Sequence, residues 1–357
     1  PASLLPAVFS EAKPAENVAV ATNPAINPNW WTLFNDATLN NLVDQALTSN
    51  ASLRLAVARV EQADALAREA GASFFPQIDG SAGISNTKAS TRTATFVATQ
   101  PRIRQSRSIG LSTSFELDVW GRIRRANEAA RATLLASQYS RDAIRLSIAG
   151  LVADTYLALR AYDAQLVVTA ETVKTREESL KLVKTRVDAG LASPLDGYQA
   201  EGLLAAAEAQ LAEQRRLRTL AEHQLALITG NPALKIAAGD LKQLPLLPEA
   251  PAGLPSDLIE GRPDVRQAEQ ELVAANAGIG MAKAGYFPKF TLTGSLGTES
   301  RTLSDLFSAG SNTWSLGLGA LMPILDFGRT SARVDQAKAI NQQSLIAWQD
   351  SLQTAYK

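Results

Sequence analysis

No cysteine occurs in the 357 residues, and there is one histidine and two methionines. The first absence excludes a disulfide framework and a zinc–thiolate site. With a single imidazole, His223, a metal centre would need carboxylates that the sequence does not cluster, so no metal or cofactor is expected. Neither sign of charge is in surplus: Lys+Arg and Asp+Glu are both 35. That balance argues against a nucleic-acid partner. No run of about 18 apolar residues is present, which excludes a transmembrane helix and a hydrophobic signal segment among these residues. Any membrane crossing would have to be made by strands. Serine-hydrolase, zincin and phosphate-loop motifs are also missing, and no convergent set of titratable groups points to an enzyme.

What is there is organised around residues 106–189. Ile109, Leu111, Thr113, Phe115, Leu117 and Val119 alternate with Ser108, Gly110, Ser112, Ser114, Glu116 and Asp118, the period-two pattern of a strand with one apolar face. At Trp120-Gly121-Arg122 the period changes to that of a helix. Leu159, Leu166, Val173, Leu180 and Val187 then recur every seven residues, as along a coiled-coil seam. A helix continuous to Ala189 would be on the order of 100 Å long. Such a strand feeding such a helix predicts a rod joined to a membrane barrel.

Residues 1–35 read as an extended N-terminal segment, with prolines from Pro1 to Pro28. A first repeat, 36–230, opens with a helix from Asp36, its predicted N-cap, to Ser49. A second helix over 51–73 ends at Phe75-Pro76. Strands follow over 77–87 and 106–119, separated by a polar loop, and then a long helical hairpin over 122–229. Within it, Gly190 to Pro194 reads as a stop and restart, and Leu204, Leu211 and Leu225 continue the seven-residue spacing. Residues 231–257 read as a Pro- and Leu-rich connector.

The second repeat, 258–357, retraces the first. A shift of 212 lays residues 50–78 on 262–290 without a gap and brings Phe75-Pro76 onto Phe287-Pro288. Strands are predicted over 289–299 and 313–323, and Asp326-Phe327-Gly328-Arg329 restarts a helix that opens a second hairpin. The fold class expected is mainly α with a membrane β part and an internal two-fold repeat. Four strands of about ten residues each can span a bilayer when tilted, but four cannot close around a lumen. An open edge is not tolerated in lipid. Three chains contributing twelve strands would be the smallest even, pore-forming solution.

Three strings, FELDVWGRIRRANEAARA (115–132), GRPDVRQAEQELVAANAGIGMAKAGYFPKFTLTGSLG (261–297) and PILDFGRTSARVDQA (323–337), resemble the TolC-like outer-membrane factors, in particular the lipoprotein subgroup that serves RND-type efflux pumps. The resemblance runs from NPNWWTLFNDATLNNLVDQAL (27–47) onward. It implies a homotrimer with a twelve-stranded barrel in outer-membrane lipid, continued by a helical coiled-coil barrel through the periplasm. It further implies a periplasmic adaptor (membrane fusion) protein and an inner-membrane RND-type transporter as partners. The chain would be a passive channel for drugs and other toxic small molecules, a role in multidrug resistance with no catalysis and no cofactor. The subgroup implies a lipidated N-terminal cysteine, and none of the 357 residues is cysteine. It also places the periplasmic gate partly in the second hairpin, so no gate residue is assigned. A type I secretion duct for polypeptides is the nearest alternative. A soluble coiled-coil scaffold is the alternative from another class.

The turn over 186–196 reads, from spacing alone, equally as a plain helix–helix connection; the resemblance assigns it to adaptor contact, through Arg186, Asp188, Gly190, Leu191, Ala192, Ser193, Pro194 and Asp196. Phe75, Pro76, Trp120, Gly121, Arg122, Phe287, Pro288, Phe327, Gly328 and Arg329 read as barrel–helix junctions, where glycine permits a sharp bend and an aromatic ring sits at the membrane interface. Arg102, Arg104 and Arg107 beside a strand are read as solubilising a loop in preference to meeting anionic headgroups. Arg215, Arg216 and Arg218 are read as a solvated helix face.

Overall fold

The structure, a computed structural model, describes residues 29–92, 99–240 and 261–356. The chain is mainly helical, with one four-stranded sheet among the described residues. It divides into two compact units, residues 1–59 with 139–263 and residues 60–138 with 264–357. The extended segment expected up to residue 28 and the connector from 241 to 257 lie outside the described residues.

The first unit is a helical hairpin with a packed base. Its arms belong to α3 (Arg122–Asp188) and α4 (Pro194–Thr229). The α3 helix runs straight through Gly150, since a lone interior glycine costs only about 1 kcal/mol. Along the seven-residue seam Leu159 is buried and Leu166, Val173, Leu180 and Val187 are half-buried, while Val167 and Val168 beside it are exposed. Cross-links confirm the pairing of the arms: Thr169 Oγ1 donates to Gln214 Oε1 at 2.9 Å, and Lys184 meets Glu201 at 2.8 Å. At the base, α1 (Ala37–Ser49) lays Leu39, Leu42, Val43 and Ala46 against Val152, Tyr156 and Leu159 of α3 and Leu225 of α4. Asp36 caps α1 as expected, accepting from the Thr38 and Leu39 amides. The expectation of extended chain to residue 35 is corrected at Trp30–Phe34, which coils into a 3₁₀ turn. Its period near three places Trp31 and Phe34 together in the core.

The second unit holds most of α2 (Ala51–Ala72), the start of α3, α5 (Pro263–Ala284), α6 (Arg329–Tyr356) and the sheet. The strands β1 (Gln77–Lys88), β2 (Ile103–Leu117), β3 (Lys289–Ser300) and β4 (Asn312–Leu321) pair antiparallel in the order β1-β2-β3-β4. The ends of α2 and β1, displaced by 212, coincide with those of α5 and β3.

The strand bounds differ from those expected, most of all in β2, which starts and stops earlier than 106–119. It starts at Ile103 because Lys88 of β1 reaches far enough to pair with it. It stops at Leu117 because the Asp118 carboxylate turns to accept amides of the next helix. Likewise β4 closes at Leu321 rather than 323, where Pro323 has no N–H to offer the ladder. The register puts Leu117, Phe115, Leu111 and Ile109 of β2 level with Phe290, Leu292, Leu296 and Thr298 of β3, on one face. The opposite face carries serine, threonine and glycine. There Gly110 faces Gly297, and a Cβ on Gly297 would stand 2.5 Å from the Ile109 carbonyl oxygen. Only glycine lets the two strands approach so closely.

Candidate functional site

Two places in the fold combine exposure with local construction: the hairpin turn of the first unit and the strand-to-helix junctions of the second.

At the turn, α3 ends in a Schellman motif. Gly190 takes φ +73, its amide donates to the Val187 carbonyl at 2.9 Å, and the Leu191 amide donates to the Arg186 carbonyl at 2.8 Å. Three residues later Ser193 starts α4 with a capping box. Its Oγ accepts from the Leu195 amide, and Asp196 accepts from the Ser193 amide at 3.0 Å, with Pro194 at the first helical position. So Gly190, Ser193, Pro194 and Asp196 build the turn. Arg186, Asp188 and Leu191 are exposed on it and Ala192 is half-buried. Leu191 is 72% exposed and Tyr198, one turn into α4, 71%, with Leu195 also exposed between them. Leu195 and Tyr198 were not singled out from sequence. Their signal was apolar residues directly following a turn at positions off the heptad seam.

At the first junction Trp120 stacks on Phe287, ring centroids 4.5 Å apart and planes 19° from parallel, and its Nε1 donates to the Pro288 carbonyl at 2.9 Å. Residues predicted separately, from the two halves of the sequence, are thus brought together. Gly121 takes φ +79 to turn the chain. Asp118 Oδ1 accepts from the Ile123 amide at 2.8 Å and Oδ2 from the Arg124 amide at 2.9 Å, closing the N-terminus of α3. Burial works to raise the Asp118 pKa, but these two amides and the Arg124 guanidinium outweigh it and hold the carboxyl below its ordinary value. Arg122 grips Glu116 with two hydrogen bonds of 2.7 Å, and Lys289 meets the same carboxylate at 2.9 Å. A cleft of about 380 Å³ opens beside these groups, walled by Trp120, Phe287, Leu321 and Met322 and rimmed by Glu116 and Lys289.

The second junction repeats the chemistry with different packing. Gly328 takes φ +84, and Asp326 accepts from the Gly328 amide at 3.0 Å and the Thr330 amide at 2.9 Å. Phe327, however, is 90% exposed and itself has φ +52, a conformation that costs a bulky residue strain. Arg329 opens α6 and is exposed. Phe75 and Pro76, after α2, are exposed as well.

One set of charges was misread from sequence. Arg215 and Arg216 are exposed, but Arg218 is turned inward beneath the described part of the connector. It meets Asp163 at 3.0 Å and Glu222 at 3.3 Å and donates to the Ile236 carbonyl at 2.6 Å. Arg160 meets the other Asp163 oxygen at 3.1 Å and donates to the Tyr156 hydroxyl and the Ala237 carbonyl. Tyr156 passes the chain on to Asp36 Oδ2 at 2.5 Å. Four helical charges thus tie residues 236–239 down by their backbone. The only clue was the pairing of Arg160 with Asp163 at a three-residue spacing and of Arg218 with Glu222 at four. His223 lies one position on and is exposed.

The fold and its sites define a class: a long helical hairpin, and a second long helix, that follow an antiparallel sheet with one apolar face through capped glycine turns. The chain belongs to the outer membrane efflux protein family, whose model matches residues 42–231 and 254–357. It is 36% identical to the solvent efflux pump outer membrane protein SrpC of Pseudomonas putida, over 91% of this chain and 69% of that protein. It is 32% identical to the cation efflux system protein CusC of Escherichia coli (strain K12), over 100% of this chain and 76% of that protein. Its structure matches the crystal structure of the outer membrane protein VceC of Vibrio cholerae with a TM-score of 0.84 at 27% identity, covering 92% of this chain and 78% of that one. It is an efflux protein of the outer membrane and not an enzyme.

Proposed function

We propose that three copies of this chain form a passive efflux duct, each contributing its four strands to one twelve-stranded barrel. The observation that carries the reading is the pair of unmatched edges. Within the sheet β1 and β4 each pair on one side only, and open strand edges are not stable in lipid. Pairing β4 of one copy with β1 of the next closes the sheet and covers the exposed apolar run Ile324, Leu325 and Phe327. The Gly- and Ser-rich face then lines the lumen, and the 212-residue displacement supports a unit of helix and strands used twice within each copy. The helices carry the conduit through the periplasm.

The hairpin turn is the docking point for a periplasmic adaptor, with Leu191, Leu195 and Tyr198 as apolar anchors and Arg186, Asp188 and Asp196 around them. The adaptor links the duct to an inner-membrane transporter of the RND type. Cargo is small and toxic, in keeping with relatives named for solvent and cation efflux.

Single-channel recording of the purified full-length protein in planar bilayers, with its mass measured in detergent, tests the duct. Discrete conductance steps from a trimer are expected. A stable monomer that gives no conductance would overturn the reading. A Leu191→Glu/Tyr198→Glu variant should keep its conductance and lose adaptor cross-linking; unchanged cross-linking would remove the turn from the docking surface.

A further inference from the structure

The sequence between Asp79 and Glu116 contains no acidic residue but holds Lys88, Arg92, Arg102, Arg104 and Arg107. In a chain of zero net charge, this is a strongly cationic hairpin. The register separates its members. Arg107 lies level with Ile84 and two residues beyond Ile109, on the apolar face, and Lys88 lies on that same face further out, paired with Ile103. Arg104 falls on the opposite face with Ser106 and Ser108. The reading of Arg102, Arg104 and Arg107 as solubilising a loop is therefore corrected at two of them: Arg107 sits within β2, and the strand's reach back to Ile103 brings Arg104 into the sheet as well.

On the apolar face of the four strands, Lys88 and Arg107 are the only ionisable residues. Both are cations, and both sit at the end away from the helices. The apolar band below them, from Leu117 to Ile109, is nine residues or about 26 Å along the strand, which at a tilt of roughly 40° is about 20 Å of height, most of a bilayer's apolar belt. The carboxylates of the sheet are turned the other way. Glu299 faces Ser108 and accepts from the Ser106 hydroxyl on the polar face, and Asp79 and Glu116 lie on that face toward the helices. Arg107 reaches along the sheet to Asn86 Oδ1 at 3.4 Å, a long contact, and Arg102 in the adjoining turn donates to the Ala89 carbonyl at 3.2 Å.

We propose that Lys88 and Arg107, with Arg102 beside them, form a binding site for the phosphate groups of the glycolipid in the outer leaflet. The inference rests on the proposed placement of this face against lipid. A cation at the rim of an apolar wall keeps its stem along acyl chains and its head among phosphates. Two such cations roughly four residues apart along the sheet suit a headgroup with more than one phosphate.

The test uses the purified full-length protein in detergent, with diphosphorylated lipid A as the probe and native mass spectrometry and thermal melting as readouts. Retention of lipid A and a raised melting temperature are expected, with neither from fully dephosphorylated lipid A or from inorganic phosphate. Lys88→Gln/Arg107→Gln should weaken retention about twentyfold. Arg104→Gln, on the opposite face, and the charge-keeping Arg107→Lys should retain the lipid like the parent, which separates loss of charge from loss of fold. Equal retention of the dephosphorylated lipid, or equal loss in Arg104→Gln, would overturn the site. A conducting trimer indifferent to the phosphates removes this inference alone; a monomer without conductance removes the duct and this site with it.

Discussion

The two strand-to-helix junctions carry nearly the same residues and are packed very differently. Each has an aspartate accepting helix amides, an aromatic residue, a glycine at positive φ and an arginine. At the first, Trp120 is held between a stacked ring and a carbonyl, and Arg122 and Lys289 share Glu116. At the second, Phe327 is almost wholly exposed. The backbone turn is thus a local matter, settled by glycine and a capping carboxylate. Whether the aromatic contributes to stability depends on what the rest of the fold brings beside it. The first junction has Phe287-Pro288 from the other half of the chain; the second, in the proposed trimer, has the next copy.

Substituting the aromatics should separate the junctions most. Trp120→Ala loses a ring stack and a hydrogen bond and is expected to cost about 2 kcal/mol in thermal or denaturant unfolding in detergent. Phe327→Ala should cost the isolated chain almost nothing and lower trimer yield instead; an equal loss of chain stability in both would break the comparison. The glycines should behave alike. Gly121→Ala and Gly328→Ala each force an L side chain into the left-handed region, at roughly 1–2 kcal/mol. Unequal costs would show that packing, not backbone, governs the turns.

Next in size are the caps. Asp118→Ala should remove about 1 kcal/mol at neutral pH. The folded-state pKa of Asp118 is lowered, and so is that of Asp326, chiefly through Thr330. Their contribution is therefore present above the ordinary carboxylate pKa and is lost as pH falls through the lowered folded value. Melting temperature followed from pH 7 toward pH 3 should drop in the parent and drop less in Asp118→Ala. A parallel decline would remove Asp118 from the acid response. Smallest is Glu116→Gln, which leaves two partly exposed cations in reach of water and should cost about 0.5–1 kcal/mol, shrinking at high salt. A salt-independent loss would mean the pair is better shielded than its exposure indicates.

Much of this was legible along the chain. Alternation marked the strands, the seven-residue seam marked the hairpin, and Gly190 with Ser193-Pro194 marked its turn, because periodicity and capping are local and need no partner. The junction residues were legible as types, since Asp and Gly at a change of period have few other uses. The cluster of Arg160, Asp163, Arg218 and Glu222 was not. A half-buried arginine and a solvated one look alike in sequence, and what covers Arg218 is the return of residues 236–239 across α3 and α4. The side taken by Arg104 was equally hidden with the start of β2 expected at 106, for a residue outside the strand has no face until pairing draws it in.

By itself, then, the sequence determined the elements and their order, the helix caps and the bends, which follow from short-range sterics, hydrogen bonding and period, and it carried the three strings whose resemblance marks the family. Only the tertiary structure decided that Trp120 meets Phe287, that Phe327 does not find such a partner within its own chain's junction, that Arg218 is an inward charge, and which cations crown the apolar face. Those outcomes depend on strand register and on contacts between residues far apart in the chain, where the energy comes from excluding water between surfaces that no local pattern places together.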